Sequence, residues 1–281
     1  MRKIILISFA NTDFKKSLDR LEYSTRNFPF NERFFLTEKN LPKEFLKKLY
    51  YKRHRRGFGY WRWKSYLVNS YFRQLEENDI LVYSDAGNYW NINGINRYNE
   101  YIKLCDSIES GILVFQEIYP EKMYTKGDLL NYFNVYDNPQ ITDSNQFWGG
   151  AFIIRKTKIS SEFISRWTNV HKNRYDLTTD KKSKKPNYPE FVENRHDQST
   201  FSILAKLYPH VEISFEETTS KDNHWEKLDN YPIQARRLRF QEQSKIKKII
   251  RKFIMSPYRF LLIQYLRVFE NMYFANPKAR F

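Results

Sequence analysis

Apolar positions in this chain come in short blocks separated by polar stretches. Runs rich in β-branched and aromatic residues recur at 3–9, 33–37, 80–83, 112–115, 151–155 and 211–215. Continuous apolar runs of this length predict strands covered on both faces, as parallel strands usually are. The stretches between them have a helical period at 13–26, 43–53, 91–109 and 160–175, the last with Phe163, Ile164 and Trp167 on one face. A further helix runs through Tyr66, Leu67, Tyr71 and Leu75, another opens at 124–130 with Thr125 as its cap, and one carries Phe201, Leu204 and Leu207. The alternation predicts an α/β fold: a mixed, mainly parallel sheet flanked by helices. Residues 178–190 are rich in Lys, Ser and Pro and predict a mobile loop, and 216–235 predict irregular structure. After 235 the pattern changes. Ile246, Ile249, Ile250, Phe253 and Ile254 form one apolar stripe, Pro257 interrupts it, and Tyr258, Leu261, Leu262, Tyr265, Leu266 and Phe269 form a second. The expected organisation is one α/β domain over 1–235 and a helical tail over 236–281.

Charge sharpens that division. The 281 residues carry a net charge of +16, and residues 236–281 hold twelve Lys or Arg against two Glu, which is +10 of that total. A balance this basic points to anionic partners: nucleotide diphosphates, anionic lipid or nucleic acid. Two amphipathic helices dense in Lys and Arg predict a peripheral anchor on an anionic membrane surface. The single Cys105 rules out an internal disulfide framework and suits a reducing compartment. No run approaches the roughly 20 apolar residues of a membrane-spanning helix. The short apolar start, followed at once by Asn11-Thr12-Asp13, reads as a first strand and not as a leader.

Candidate chemistry gathers at strand ends. The strand 80–83 delivers Asp85 to its tip, followed by Ala86 and Gly87. In open α/β sheets ligands bind beyond the carboxyl ends of strands. A carboxylate there, beside a glycine that lets a ligand approach the backbone, suits a hard cation on a diphosphate; the plain alternative is an Asp that caps the next segment. Between Lys47 and Lys64 lie eight Lys or Arg and no acid, interleaved with Gly57, Gly59 and aromatics. Gln146-Phe147-Trp148-Gly149-Gly150 enters one strand, and Arg195-His196-Asp197-Gln198-Ser199 opens a helix.

Taken together, Arg56-Gly-Phe-Gly-Tyr-Trp-Arg-Trp-Lys64, Tyr83-Ser-Asp-Ala-Gly87, Lys126-Gly-Asp128, Gln146-Phe-Trp-Gly-Gly150 and Arg195-His-Asp-Gln-Ser199 resemble, in order and over roughly 3–215, the glycosyltransferases of the GT-A fold. The closer resemblance is to small bacterial enzymes of capsule and lipooligosaccharide gene clusters. It implies a Rossmann-like GT-A fold and a hexosyltransferase taking a nucleoside-diphosphate sugar as donor and a glycan or lipid-linked glycan as acceptor. The implied place is the cytoplasm, at the inner face of the cytoplasmic membrane. Asp85 stands where such enzymes carry an Asp-x-Asp metal motif, with Gly87 in place of the second acid. A divalent ion, Mn or Mg, would then rest on Asp85 and the diphosphate, with His224 as a late third ligand, or the enzyme would need little metal; a surface or structural His is the plain alternative, and Arg236, Arg237 and Arg239 would close over the diphosphate or simply begin the basic tail. The resemblance places Ala10 and Asn11 at the nucleotide, Lys64 and Gly87 at the donor diphosphate, and Trp148, Gly149, Gly150 and His196 at the sugar. His196-Asp197-Gln198 is similar to the Asp-Gln motif of retaining transferases related to glycogenin, which makes Asp197 and Gln198 catalytic candidates with Asp85. Asp197 as a helix cap and Trp148 as a core residue are the plain alternatives, and Asp128 is a lesser candidate as a first-turn acid.

Two other classes compete. The basic aromatic stretch 47–64 has the make-up of a nucleic-acid binder, which would leave the strand-end carboxylates without use. A metal-dependent phosphotransferase or nuclease would gather several carboxylates around its ions, where this sequence offers mainly Asp85 and Asp197. No nucleic acid partner is therefore expected.

Overall fold

The computed structural model describes residues 2–49, 56–220, 222 and 224–237; the predicted tail helices lie outside the described residues. A six-stranded sheet is built from β1 (Ile4–Phe9), β2 (Glu32–Leu36), β3 (Ile80–Ser84), β5 (Ile112–Pro120), β6 (Asn145–Arg155) and β7 (Val211–Ile213), in the order β2-β1-β3-β6-β5-β7. A two-stranded ribbon pairs β4 (Tyr89–Trp90) with β8 (Ile233–Gln234). β1 is parallel to β2 and β3, and β5 to β7, whereas β6 runs antiparallel to β3 and β5. The mixed, mainly parallel sheet expected from the sequence is thus present.

Helices cover both faces, which is why the strands read as unbroken apolar runs. Ile5, Ile7, Leu81, Tyr83, Val114, Phe152 and Ile154 form one core with Val68 and Phe72 of α3 (Arg62–Phe72), Phe163 and Trp167 of α5 (Lys158–Asn173), and Phe201 and Leu204 of α6 (Asp197–Lys206). The alternate strand residues Leu6, Ile80, Val82, Leu113 and Ile153 pack on Leu21 of α1 (Lys15–Thr25) and on Tyr98, Tyr101 and Cys105 of α4 (Ile95–Ser107), with Phe28, Phe30 and Trp90 beside them. The remaining helix that matters here, α2 (Lys43–Leu49), precedes α3. α5 starts at a capping box in which Thr157 accepts from Ser160 N and Ser160 accepts from Thr157 N.

Three local expectations are corrected. The Gln146–Gly150 run does not lead into a strand; it is the first half of β6 and extends past the end of β3, where Ser84 pairs with Ala151. Thr125 caps no helix. It lies between the short helices Glu121–Tyr124 and Gly127–Tyr132, where its hydroxyl donates to Glu121, and Lys126 precedes the second. The stretch 178–190 is irregular but tied down. Asp128 accepts from the amides of Lys184 and Lys185, Gly127 donates to Asn187, and Lys126 Nζ donates to the carbonyls of Asp176 and Thr179. Asp128 is accordingly an anchor for that loop and not a site residue.

Candidate active site

The turn after β3 lies beside the tip of β1: Ala10 and Ala86 pack together with Leu18, and Ala10 N donates to Leu36 O at the end of β2. Asn11 is half-buried just beyond, its amide donating to Asp13. Asp85 N donates to Gly150 O, so the reversed β6 fixes the height of the Asp85 turn. Asn88 seals it, donating to Ser84 Oγ at 3.1 Å and to Gly150 O at 2.8 Å.

Lys64 sits at the centre. A lysine in the first turns of a helix reads as a surface residue, yet its side chain is only 3% exposed. The chain reaches it through Gly57, Phe58, Gly59, Tyr60 and Trp61, all at positive φ, a left-handed turn that swings Trp63 and Lys64 inward at the start of α3. Lys64 Nζ lies 2.8 Å from Gly149 O, 2.8 Å from Asp197 Oδ2 and 3.2 Å from Asp85 Oδ1. Lys64, expected at the donor diphosphate or sugar, here donates to a strand carbonyl and is ion-paired with two carboxylates. Burial works against its charge, but Asp197 and Asp85 outweigh that and raise its pKa.

Asp197 opens α6 and is 4% exposed. Burial pushes its carboxyl up to about 6, opposed by Lys64 and reinforced by Asp85. Asp85 is the more open of the pair, its side chain 23% exposed, and Tyr83 OH donates to its Oδ1 at 2.7 Å. Burial and the neighbouring Asp85 hold the Tyr83 phenol well above its ordinary pKa, so it stays a donor. Asp85 and Asp197, separate candidates in the sequence, lie on either side of Lys64.

Gln198 supports the cluster from behind. Its Oε1 accepts from Gly149 N at 3.1 Å, and its Nε2 donates to Gln146 Oε1 at 2.6 Å. Gln146 in turn donates to Glu121, a fully buried carboxylate that also holds Lys206 at 2.7 Å and accepts from Ser202. This chain of polar groups under the sheet, Glu121–Gln146–Gln198–Gly149–Lys64, escaped the sequence reading, as did Tyr83. Only the Gln146 and Gln198 motifs hinted at it.

Other expected contacts are corrected. A Cβ at Gly150 would lie 2.3 Å from the Trp148 indole, and one at Gly149 would lie 3.1 Å from Gln198 Cβ. These glycines make room for Trp148 and for α6, not for a sugar. Trp148 is 7% exposed and belongs to the core. His196, at φ 56, is buried beneath Tyr60 and Trp61, and its Nδ1 meets Thr178 O at 2.7 Å; it shapes the start of α6 without lining an open surface. His224 is exposed and pairs with Glu226 at 2.8 Å.

The metal expectation is tested by the donor set. Asp85 is the one acid at the tip, its Oδ1 already accepts from Tyr83 and faces Lys64, and Gly87 offers no ligand. Among the described residues no group of three or more His, Cys, Asp or Glu side chains is gathered. A divalent cation needs several oxygen ligands. The residues do not fit one, and His224 does not join Asp85.

Several described residues of the basic aromatic stretch make internal contacts. Arg56 pairs with Asp180 at 3.1 Å and Glu193 at 2.7 Å, Arg62 donates to the carbonyls of His171 and Lys48, and Trp63 donates to Gly57 O. Residues 50–55 of that stretch lie outside the described ones.

No family model matches the sequence, and no curated protein matches it. Several solved structures are similar in fold. One is a glycosyltransferase involved in the glycosylation of the major capsid of PBCV-1, at 12% identity and a TM-score of 0.48 over 89% of this chain and 99% of that one. The glycosyltransferase GlyE of Streptococcus pneumoniae TIGR4 is similar at 10% identity and a TM-score of 0.47, over 95% of this chain and 64% of that one. The galactosyltransferase LgtC, solved with donor and acceptor sugar analogs, is similar at 10% identity and a TM-score of 0.42 over 83% and 85%. At such identity and TM-score these neighbours lend no residue a role.

Proposed function

We propose that this chain is a glycosyltransferase of the hexosyltransferase type. It would move a sugar from a nucleoside-diphosphate sugar, with uridine or guanosine as the base, to a glycan or lipid-linked glycan acceptor in bacterial surface polysaccharide synthesis. One observation carries the reading: two carboxylates from a strand tip and a helix start, Asp85 and Asp197, meet on one buried ammonium beside the carboxyl end of β1.

The chemistry asks for such a site. Breaking the glycosidic bond leaves negative charge on a diphosphate, and transfer requires a group that takes the acceptor's proton. Asp197, held near 6, is ionised at neutral pH yet basic enough for that step, and Asp85 at the open tip faces the donor. Lys64 holds both carboxylates in place. Residues 1–235 carry the catalytic domain in this reading, and within the tail 241–274 rest on an anionic membrane, near a lipid-linked acceptor. The density of cations on two apolar stripes supports that second part.

A thermal-shift screen of nucleotide sugars, followed by calorimetry, tests the donor. A bound donor raises the melting temperature. Absence of binding by every nucleotide and nucleotide sugar, with manganese present, refutes the reading. For the tail, full-length protein floats with anionic vesicles at low salt and a chain ending at 240 does not; equal flotation of the two refutes the anchor.

A further inference from the structure

We infer that this site neutralises its diphosphate with arginine instead of a divalent cation, Arg237 standing over Gly87 where a second metal-binding acid would project. The inference rests on the donor reading above and deepens it.

Gly87 and Arg237 are complementary in shape. A Cβ at position 87 would lie 3.1 Å from Arg237 Cγ, 3.6 Å from its Nε and 3.7 Å from its Cδ. A side chain at 87 would press on the arginine stem, which would have to yield by a few tenths of an ångström, so a cation of this chain borders the space of the second acid. The placement is built in. β8 pairs with β4 just beyond the Asp85 turn, and Ala235 N donates to Thr218 O, which sets the path of 235–237. Arg20, reaching over from α1, locks that path to the turn: its Nη2 donates to Gly87 O and to Arg236 O, each at 2.7 Å.

Two arginines meet at the glycine turn: the Arg237 stem borders Gly87, and the Arg20 guanidinium donates to Gly87 O. Among the described residues neither is ion-paired with a carboxylate, and the Arg236 guanidinium lies over the Trp225 ring at 5.7 Å. Like charges gathered without counter-ions are a site for an anion. Arginine suits phosphate because its planar fork donates two parallel hydrogen bonds, where a metal would need carboxylates to hold it. The carboxylate of the same turn, Asp85, has its charge answered by Lys64. Cation supply at this turn therefore comes from side chains, and Arg20 acts as a positioning residue that holds the arginine segment on it.

Calorimetric titration of full-length protein with UDP and with GDP, once in excess EDTA and once with manganese, tests this. The expected result is binding of one of them with the same affinity in both buffers. Arg237→Gln should weaken that diphosphate about tenfold, equivalent to about 1.4 kcal/mol, while the matching nucleoside, which has no phosphate, binds the variant as it binds wild type. Arg237 is exposed, so the variant should melt with wild type. Arg237→Lys, which keeps the charge and loses the fork, should fall between the two. Diphosphate binding that requires manganese, or an Arg237→Gln variant that binds as wild type, overturns this inference alone. Binding of neither nucleotide in either buffer overturns it together with the donor reading.

Discussion

Replacing Lys64 with methionine keeps most of the side chain's volume and removes its charge. Two carboxylates then face each other without a counter-ion, Asp197 with its side chain 6% exposed and Asp85 with its side chain 23% exposed, and Gly149 O loses its donor. Removing one partner of a buried ion pair costs about 3–5 kcal/mol, because the charge left behind stays desolvated. For a chain of this size each kcal/mol lowers the melting temperature by about 2–4 °C, so the variant should melt about 6–20 °C below wild type at pH 8. The loss should shrink towards pH 5. Asp197 already has its pKa raised to about 6 with Lys64 present, and without it the carboxyl takes a proton at higher pH still, which relieves the repulsion. The double variant Lys64→Met with Asp197→Asn should recover a large part of the deficit, since no buried charge remains unpaired. Scanning calorimetry from pH 5 to 8 on the three variants and wild type decides it. A Lys64→Met protein that melts with wild type, or a double variant in which the two losses simply add, would refute the view of Lys64 as a buried clamp.

Asp197 has a pH signature of its own. Its folded pKa lies above the ordinary aspartate value of about 3.9, so the folded state binds the extra proton. Its contribution to stability is full below about pH 4, is lost as pH rises through about 6, and amounts to about 3 kcal/mol; subtracting the melting profile of Asp197→Asn from that of wild type should show that fall. Turnover should rise over the same range as the carboxylate ionises, and Asp197→Asn should be almost inactive while still binding nucleotide. Asp85→Asn should lose about 10²–10³-fold in turnover, the usual cost of removing one preorganised charge, while Asn keeps an acceptor for Tyr83 and Asp197 remains as a counter-ion for Lys64. Gly150→Ala drives a methyl group into the Trp148 indole and should lose about 1–3 kcal/mol, more than Gly149→Ala, whose nearest neighbour is Gln198 Cβ; urea titration of the two variants checks the order.

The strands were legible in the sequence because a strand buried on both faces must be apolar along its length, and that is a local property. So were their order along the chain, the aspartate at the tip of β3 and the acid at the start of α6, since turn chemistry and helix starts are written in adjacent residues. Strand direction was not. The run 151–155 reads the same whether it is parallel or not, and only the pairing of Ser84 with Ala151 shows that β6 is reversed and carries Gly149 and Gly150 past the Asp85 tip. The glycines suggest a sugar's approach because a missing side chain does not say what fills its space; here Trp148 and Gln198 do. Lys64 is the sharpest case. In the sequence it is one more cation in a basic stretch, and nothing adjacent to it is acidic. Its burial depends on two carboxylates delivered by other elements, and a lone ammonium would not leave water without them. Arg237 reads in the sequence as a cation able to close over a diphosphate or as the start of the tail, and Arg20 gives no sign; the two meet at Gly87 because β4 and β8 pair. The sequence marks which side chains can carry charge. Which charges face one another is set by long-range packing, and for this site that decides whether a cation from solution has anything left to bind.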